Sequence, residues 1–222
     1  MSAILMAFEG IDGSGKGTQS ALLCQNLQIL GKRAAVFSFP QYQQTFFGRR
    51  IGEMLDGRFG SLTEIAPWAA ALLFAGDRWE SLPRLNALRD EVEVVILDRY
   101  VPSNIAHQAG RYQGEERARL RRLIEELEYD IYRVPRPDHV FLLDIPVAVA
   151  QQLVLAKKPR DYTDKASDLL EADAQYLEQT RQAYLELAAS EPHWHQIAVT
   201  HAGQLRSTAD IAAEILDRKS VV

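Results

Sequence analysis

Residues 10 to 18 read Gly-Ile-Asp-Gly-Ser-Gly-Lys-Gly-Thr. The spacing from Gly10 to Gly15-Lys16 is the GxxxxGK of a phosphate-binding loop. Glycines let the backbone bend around an anion with successive N–H groups turned inward. Lys16 adds a full charge for the outer phosphates of a nucleoside triphosphate, and a helix starting there adds its positive end. Gly17 stands where Ser or Thr usually follows the lysine and ligates magnesium, with Thr18 one residue later. That departure leaves magnesium held largely through water and phosphate oxygens.

Three further groups could act on such a nucleotide. Asp98-Arg99 follows the apolar run Val92 to Leu97. The pair is either a strand-end acid neutralised by its neighbour or, beside a phosphate loop, a magnesium-side carboxylate with an arginine that grips phosphate; the loop favours the second. Phe74 and Arg78 share one helix face, so ring and guanidinium could stack a nucleobase and donate to its carbonyl. On the residues alone, a core phenylalanine covered by an arginine stem is the stronger reading. Ser103, Asn104 and His107 lie on a predicted helix after Asp98, where small polar groups could read a base edge or a sugar. Taken alone, His107 reads as an ordinary surface histidine.

Apolar strand-like runs alternate with helical ones, which predicts an α/β fold with a parallel sheet covered by helices. Strands are expected at Ile4–Phe8, Ala34–Phe39, Val92–Leu97, His139–Leu143 and Gln196–Val199. In an open parallel sheet, ligands sit beyond the carboxyl ends of the strands, where the phosphate loop, Phe39-Pro40 and Asp98 would all lie. Helices are expected at Lys16–Leu30, Gly48–Leu55, Thr63–Trp79, Pro83–Asp90, Glu115–Ile131, Val147–Ala156, Asp168–Ala188 and from the cap Ser207 to about Arg218. The polar, charge-dense segment 157–167 around Pro159 and Arg160 is either a solvated loop or a basic lid over the triphosphate; its place in a phosphate-loop chain favours the lid.

The chain has 222 residues, 47% apolar, which fits one domain with a sizeable core. A net charge of −5 argues against a general nucleic-acid binder. Cys24 is the only cysteine, so no disulfide framework or thiolate metal cluster is expected and its role is that of a small apolar filler. The opening residues carry no basic stretch before their apolar run, and no apolar segment is long enough to span a membrane. A cytoplasmic enzyme is the expectation.

The chain resembles the thymidylate kinase family, whose members make dTDP from dTMP. The residues that carry the resemblance are Phe8 to Gln19, Phe39-Pro40, Leu72 to Glu80, and Asp98-Arg99-Tyr100 with Ser103 and Asn104. The stretch Tyr176 to Ala188 also matches the family's helix after the lid. The run Gly15-Lys16-Gly17-Thr18-Gln19 is shared more widely with nucleoside monophosphate kinases such as adenylate kinase. The resemblance implies a three-layer phosphate-loop fold with a five-stranded parallel sheet, ATP as donor, Mg2+ as cofactor and a homodimer formed through helices beside the acceptor site. It also implies roles for particular residues. Gly10, Gly13, Ser14, Gly15, Lys16, Gly17 and Thr18 would hold the ATP phosphates. Asp12 would face the acceptor and its sugar 3′-hydroxyl. Phe74 would stack on thymine, beside Phe39 and Pro40, and Arg78 would donate to a thymine carbonyl. Arg99 would contact the acceptor phosphate, Asp98 would organise magnesium and its waters, and Ser103 and Asn104 would lie against the base.

Three departures from the family's pattern stand out. Gln41 and Tyr42 follow Phe39-Pro40 where many relatives have an arginine for the acceptor phosphate, leaving that contact weakened or taken over by Arg49 or Arg50. His107 replaces an aromatic at the sugar's 2′ edge. The phosphate loop carries no cation at its variable positions, so the transition-state arginine would come from the lid, with Arg160 first and Lys157 and Lys158 behind it. Gln41 and His107 keep open a kinase for another pyrimidine nucleotide such as dUMP or dCMP. A GTP-binding switch lacks support because no Asn-Lys-x-Asp motif is found. A non-catalytic nucleotide-binding module is the remaining alternative.

Overall fold

In the computed structural model, residues 3–61, 64–156 and 174–218 are described. Five strands, β1 (Ile4–Glu9), β2 (Ala34–Ser38), β3 (Val94–Asp98), β4 (His139–Asp144) and β5 (Trp194–Ala198), form one sheet in the order β2-β3-β1-β4-β5. Every neighbouring pair is parallel. Val94, Val95, Ile96 and Leu97 are wholly buried. A strand covered on both faces must be apolar on both, which is why this run does not alternate.

The register decides where chemistry can occur. Phe8 and Ser38 both lie level with Asp98, so the carboxyl ends of β1, β2 and β3 finish together. The loops that follow them open onto one edge, where the strand order reverses about β1.

Helices α1 (Lys16–Ile29), α2 (Phe46–Leu55), α3 (Pro67–Glu91), α4 (Val101–Asn104), α5 (Gly114–Glu125), α6 (Val147–Leu155), α7 (Ala174–Ser190) and α8 (Thr208–Asp217) surround the sheet. Helix α8 begins at Ser207, whose hydroxyl accepts from the Asp210 N–H at 3.0 Å, the expected cap. Cys24 is buried on α1 as an apolar filler. None of the described helices is long and apolar enough to cross a membrane.

Several expected elements differ. The two helices anticipated over 63–79 and 83–90 are one continuous helix, α3, which starts at Pro67. Pro83 faces solvent while Ser81 and Leu85 are buried beside it, so packing carries the helix past the missing N–H. The single α-helix expected over 115–131 is α5 followed by a π-helical turn, Glu126–Ile131. Leu120 and Ile124 are buried, but Leu123, still within α5, and Ile131, at the end of the turn, are exposed. A second π-helical turn, Ile105–Ala109, continues α4. The last strand of the sheet starts at Trp194, earlier than expected, and a small antiparallel pair, β6 (Thr200–His201) and β7 (Gln204–Leu205), follows it. The expected lid, 157–167, and the start of the helix expected from Asp168 lie outside the described residues.

Candidate active site

A cleft of about 390 Å³ opens at the carboxyl edge of β1, β2 and β3. It is lined by phosphate-loop residues, by Phe39 and Pro40, by Phe74 and Arg78 of α3, and by Asp98, Arg99, Ser103, Asn104 and His107. Residues scattered over a hundred positions of sequence thus meet in one space.

The loop is built as its spacing requires. Gly13 has φ +83°, and a side-chain carbon there would stand 2.4 Å from the Ala150 carbonyl oxygen, so the loop lies flat against α6 only because this residue is glycine. Gly15, at φ 93°, precedes the first turn of α1. Lys16 is buried and its ammonium donates to the carbonyls of Gly10 and Ile11, each at 2.9 Å. Burial, then the like charge of Arg99, pushes its pKa down to about 7, against the pull of Asp12, Asp98 and Glu9. Gly10, Ser14 and Thr18 do not line the cleft. Gly10 offers its carbonyl to Lys16, Ser14 is buried with no hydrogen-bond partner for its hydroxyl among the described residues, and Thr18 is exposed on the first turn of α1. A carbon added to Gly17 would lie 3.1 Å from an Asp98 carboxylate oxygen. Glycine there leaves room between helix start and carboxylate, as a water-mediated magnesium would need.

Arg99 is the hub of the cleft's polar contacts. Its backbone takes φ +64°, an uncommon conformation for a non-glycine residue, and its N–H donates to the Phe8 carbonyl at 3.1 Å. Its guanidinium pairs with Asp12 rather than with the adjacent Asp98. Burial would lower its pKa, but Asp12, Tyr184, Asp98 and Glu9 hold it above the ordinary value.

The surface histidine expected at 107 is instead buried. Its Nε2 lies 3.3 Å from Arg99 Nη1 and its Nδ1 lies 2.8 Å from the Tyr176 hydroxyl. A guanidinium can only donate, so Nε2 accepts and the ring proton sits on Nδ1. Burial, then Arg99, pushes His107 down to about 3, keeping it neutral. His107 thus links Arg99 to the start of α7, the first described element after the expected lid.

On α3, Arg78 is buried and bonded to Glu128 through Nε and Nη2. Burial pulls its pKa down, but Glu128 outweighs that and holds it above the ordinary value. The guanidinium also lies over the Phe39 ring, 6.0 Å from its centroid. Neither Arg49 nor Arg50 lines the cleft; Arg50 pairs with Glu53 at 2.9 Å and sits over Phe46. Gln41 also turns away, its side chain held by Ser38 and by Arg84. The expected replacement arginine on α2 is therefore absent from the described cleft, whose cationic residues are Lys16, Arg78 and Arg99. Arg160, Lys157 and Lys158 lie outside the described residues.

Three acids that hold the site together had no assigned role. Glu9 ends β1 fully buried, accepting from the Tyr100 N–H at 2.8 Å, from Ser103 Oγ at 2.6 Å and from the Tyr184 hydroxyl at 2.9 Å. Burial raises its pKa, opposed by the Ser103 hydrogen bond and Arg99. Asp77 on α3 accepts from Thr45 Oγ and from the Gln41 N–H at 3.0 Å, which moors the Phe39-Pro40 loop. Glu128 sits four residues after Ile124 and eight after Leu120, so a charge falls on an otherwise apolar stripe. That interruption was the readable signal, since buried acids occur almost only with partners. Tyr42, Leu55 and Gln108 also line the cleft.

Comparison with known proteins agrees with this geometry. The family model for thymidylate kinase matches residues 8–209. The thymidylate kinase of Clavibacter sepedonicus is 36% identical over 226 residues, covering 100% of this chain and 97% of the relative. That of Mycobacterium tuberculosis (strain ATCC 25618 / H37Rv) is 33% identical over 186 residues, covering 84% and 86%. The solved thymidylate kinase of Candida albicans superposes with a TM-score of 0.74 at 23% identity, over 99% of this chain and 92% of that one, and so speaks for the fold. On sequence, fold and the convergence of its matching motifs in one cleft, the chain belongs to the thymidylate kinase family.

Proposed function

We infer that this chain is a dTMP kinase, transferring the γ-phosphoryl group of ATP to dTMP to give dTDP and ADP. The observation that carries this is the single cleft in which Lys16 of the phosphate loop, Arg99, and the base-side pair Phe74 and Arg78 all line one wall or another. The first is suited to a polyphosphate, the second to a monophosphate, and the third to a flat base with a carbonyl.

The acceptor is already an anion, so no strong general base is required; aligning two charged groups and neutralising what develops between them does the work. Lys16 takes the donor's outer phosphates and Arg99, held by Asp12 and His107, meets the acceptor phosphate. A magnesium ion, held beside Asp98, would supply positive charge to offset that of the donor phosphates. Among the described residues no cluster of three or more His, Cys, Asp or Glu side chains could hold a metal on its own. Asp98 beside Gly17 fits an ion that arrives with the nucleotide and is held through water. The segment 157–167 acts as the lid of one kinase domain, and Arg160 supplies the transition-state cation that the phosphate loop lacks. Trp68, Leu72 and Trp79 form an exposed stripe on α3, the helix that also bears Phe74 and Arg78, and this apolar strip supports a homodimer formed beside the acceptor site. The lone, buried Cys24 suits a cytoplasmic setting.

A coupled assay of ADP release across dTMP, dUMP, dCMP and the purine monophosphates tests the assignment. Magnesium-dependent turnover highest with dTMP is expected. Tight ATP binding without transfer to any monophosphate would reject it in favour of a binding module.

A further inference from the structure

We propose that Glu128 is a positioning residue for the base-binding wall, aiming the donors of Arg78 and turning the amide of Asn104 so that its oxygen is left as an acceptor. The proposal rests on the dTMP kinase reading of the cleft and asks how its base is chosen.

Glu128 is fully buried on the π-helical turn after α5. One carboxylate oxygen accepts from Arg78 Nε. The other accepts from Arg78 Nη2 at 2.6 Å and from Asn104 Nδ2 at 2.9 Å. Asn104 Nδ2 also donates to the Ala71 carbonyl on α3 at 3.0 Å. Both partners of that amide nitrogen are acceptors with no proton to give. Rotating the amide by half a turn would set its oxygen against a carboxylate and a carbonyl, so its orientation is determined. The nitrogen faces Glu128, and the oxygen is left for something else. Among the described residues Asn104 Oδ1 has no hydrogen-bond partner, although Asn104 is buried and lines the cleft. A buried acceptor left unsatisfied is costly, so a ligand donor is the natural complement.

Arg78 is constrained in the same way. Of its five N–H groups, Glu128 takes one on Nε and one on Nη2, which clamps the plane of the guanidinium and leaves donors for the cleft. The wall therefore offers a donor from α3 and an acceptor from α4, both fixed by one carboxylate. Thymine and uracil present the complementary pair, a C4 carbonyl oxygen next to an N3–H. Cytosine presents the opposite pair, a 4-amino group next to a bare N3, and would set donor against donor and acceptor against acceptor. Sites that hydrogen-bond their substrate in this way reject the mismatched analogue far more strongly than shape alone allows.

Glu128→Gln tests this. The side chain keeps its size but now carries an N–H in place of one acceptor oxygen, so the clamp on Arg78 is weakened and Asn104 is held by the Ala71 carbonyl without its second obligatory acceptor. With wild type and variant assayed on dTMP and dCMP, the variant is expected to raise KM for dTMP about tenfold or more and to cut the dTMP:dCMP ratio of kcat/KM by at least about tenfold, with kcat for dTMP changed far less. Glu128→Asp, which keeps an acceptor-only group, should largely retain the ratio. If Glu128→Gln lowers kcat for both nucleotides alike and leaves their ratio intact, Glu128 is merely structural and the proposal is overturned. Should Glu128→Gln fail to fold, Asn104→Leu removes the acceptor while leaving the Arg78–Glu128 pair in place. An unchanged ratio in that variant overturns the proposal equally. A wild-type protein that phosphorylates no dTMP defeats the underlying assignment and this inference with it, whereas a selective wild type with a selective Glu128→Gln defeats the inference alone.

Discussion

The neutral amine of Lys16 should take up a proton when ATP binds. In the free protein burial and Arg99 hold its pKa near 7 instead of 10.5, and its partners are two backbone carbonyls. At ~1.4 kcal/mol per unit, keeping this lysine charged costs the ligand-free fold about 5 kcal/mol as an upper estimate. The folded value lies below the unfolded one. Between about 7 and 10.5 the unfolded chain therefore binds the proton and the folded chain does not, so ligand-free stability rises with pH through that window and the penalty is fully present below it. A triphosphate reverses the balance by replacing carbonyls with anionic oxygens. At pH 8, one unit above the free value, about nine-tenths of the molecules lack the proton, so roughly 0.9 proton should be taken up per ATP bound. His107, held near 3, and Arg99, held above its ordinary value, do not titrate there. Isothermal titration calorimetry at pH 8 in two buffers of different ionisation enthalpy measures the uptake directly. ATP affinity should fall about fivefold from pH 7 to pH 8 and about tenfold over the next unit. Lys16→Met should abolish turnover and the proton uptake. It should also raise the ligand-free melting temperature at pH 7, since relief of even ~1 kcal/mol moves a chain of this size by about 2–4 °C. Normal ATP affinity in the wild type with no proton uptake at pH 8 would refute the claim that burial holds Lys16 neutral.

Phe74→Ala should raise KM for dTMP about fivefold to a hundredfold, the range of losing a base–aromatic stack, with kcat little changed in steady-state assays. Gly13→Ala should weaken ATP binding and lower the melting temperature together, because the added carbon meets the Ala150 carbonyl at 2.4 Å from a backbone already at φ +83°; a fully active, equally stable variant would contradict the described loop. Arg160→Ala should slow phosphoryl transfer on the order of a thousandfold while leaving dTMP affinity nearly intact, so equal turnover by variant and wild type rules out Arg160 as the lid cation.

Much of the architecture was legible because it is written in short repeats. Val94 to Leu97 read as a strand covered on both faces, and the glycine spacing before Lys16 as a loop that bends closely around an anion; the first is wholly buried and Gly13 lies against the Ala150 carbonyl. Boundaries were less legible where packing overrode local preference. Pro83 reads as a helix break, yet α3 runs through it because its buried neighbours are held against the core. The π-helical turns at 105–109 and 126–131 escaped notice because a fixed helical period assumes them away. The second of these carries Glu128, which keeps the four-residue spacing of Leu120 and Ile124 and was overlooked although that spacing was readable.

What the order of residues determined by itself was the chemistry at hand: a loop for polyphosphate, an acid and an arginine at a strand end, and a ring and a guanidinium four positions apart. Those are relations within a turn or a loop, settled by backbone geometry over a few residues. Which charges face each other was decided only by the folded chain. Arg99 reaches back 87 positions to Asp12 instead of pairing with its neighbour, Arg78 reaches 50 to Glu128, and Tyr184 reaches 175 to Glu9. A buried charge must find a partner wherever the core brings one near, and distance along the chain says nothing about where that is.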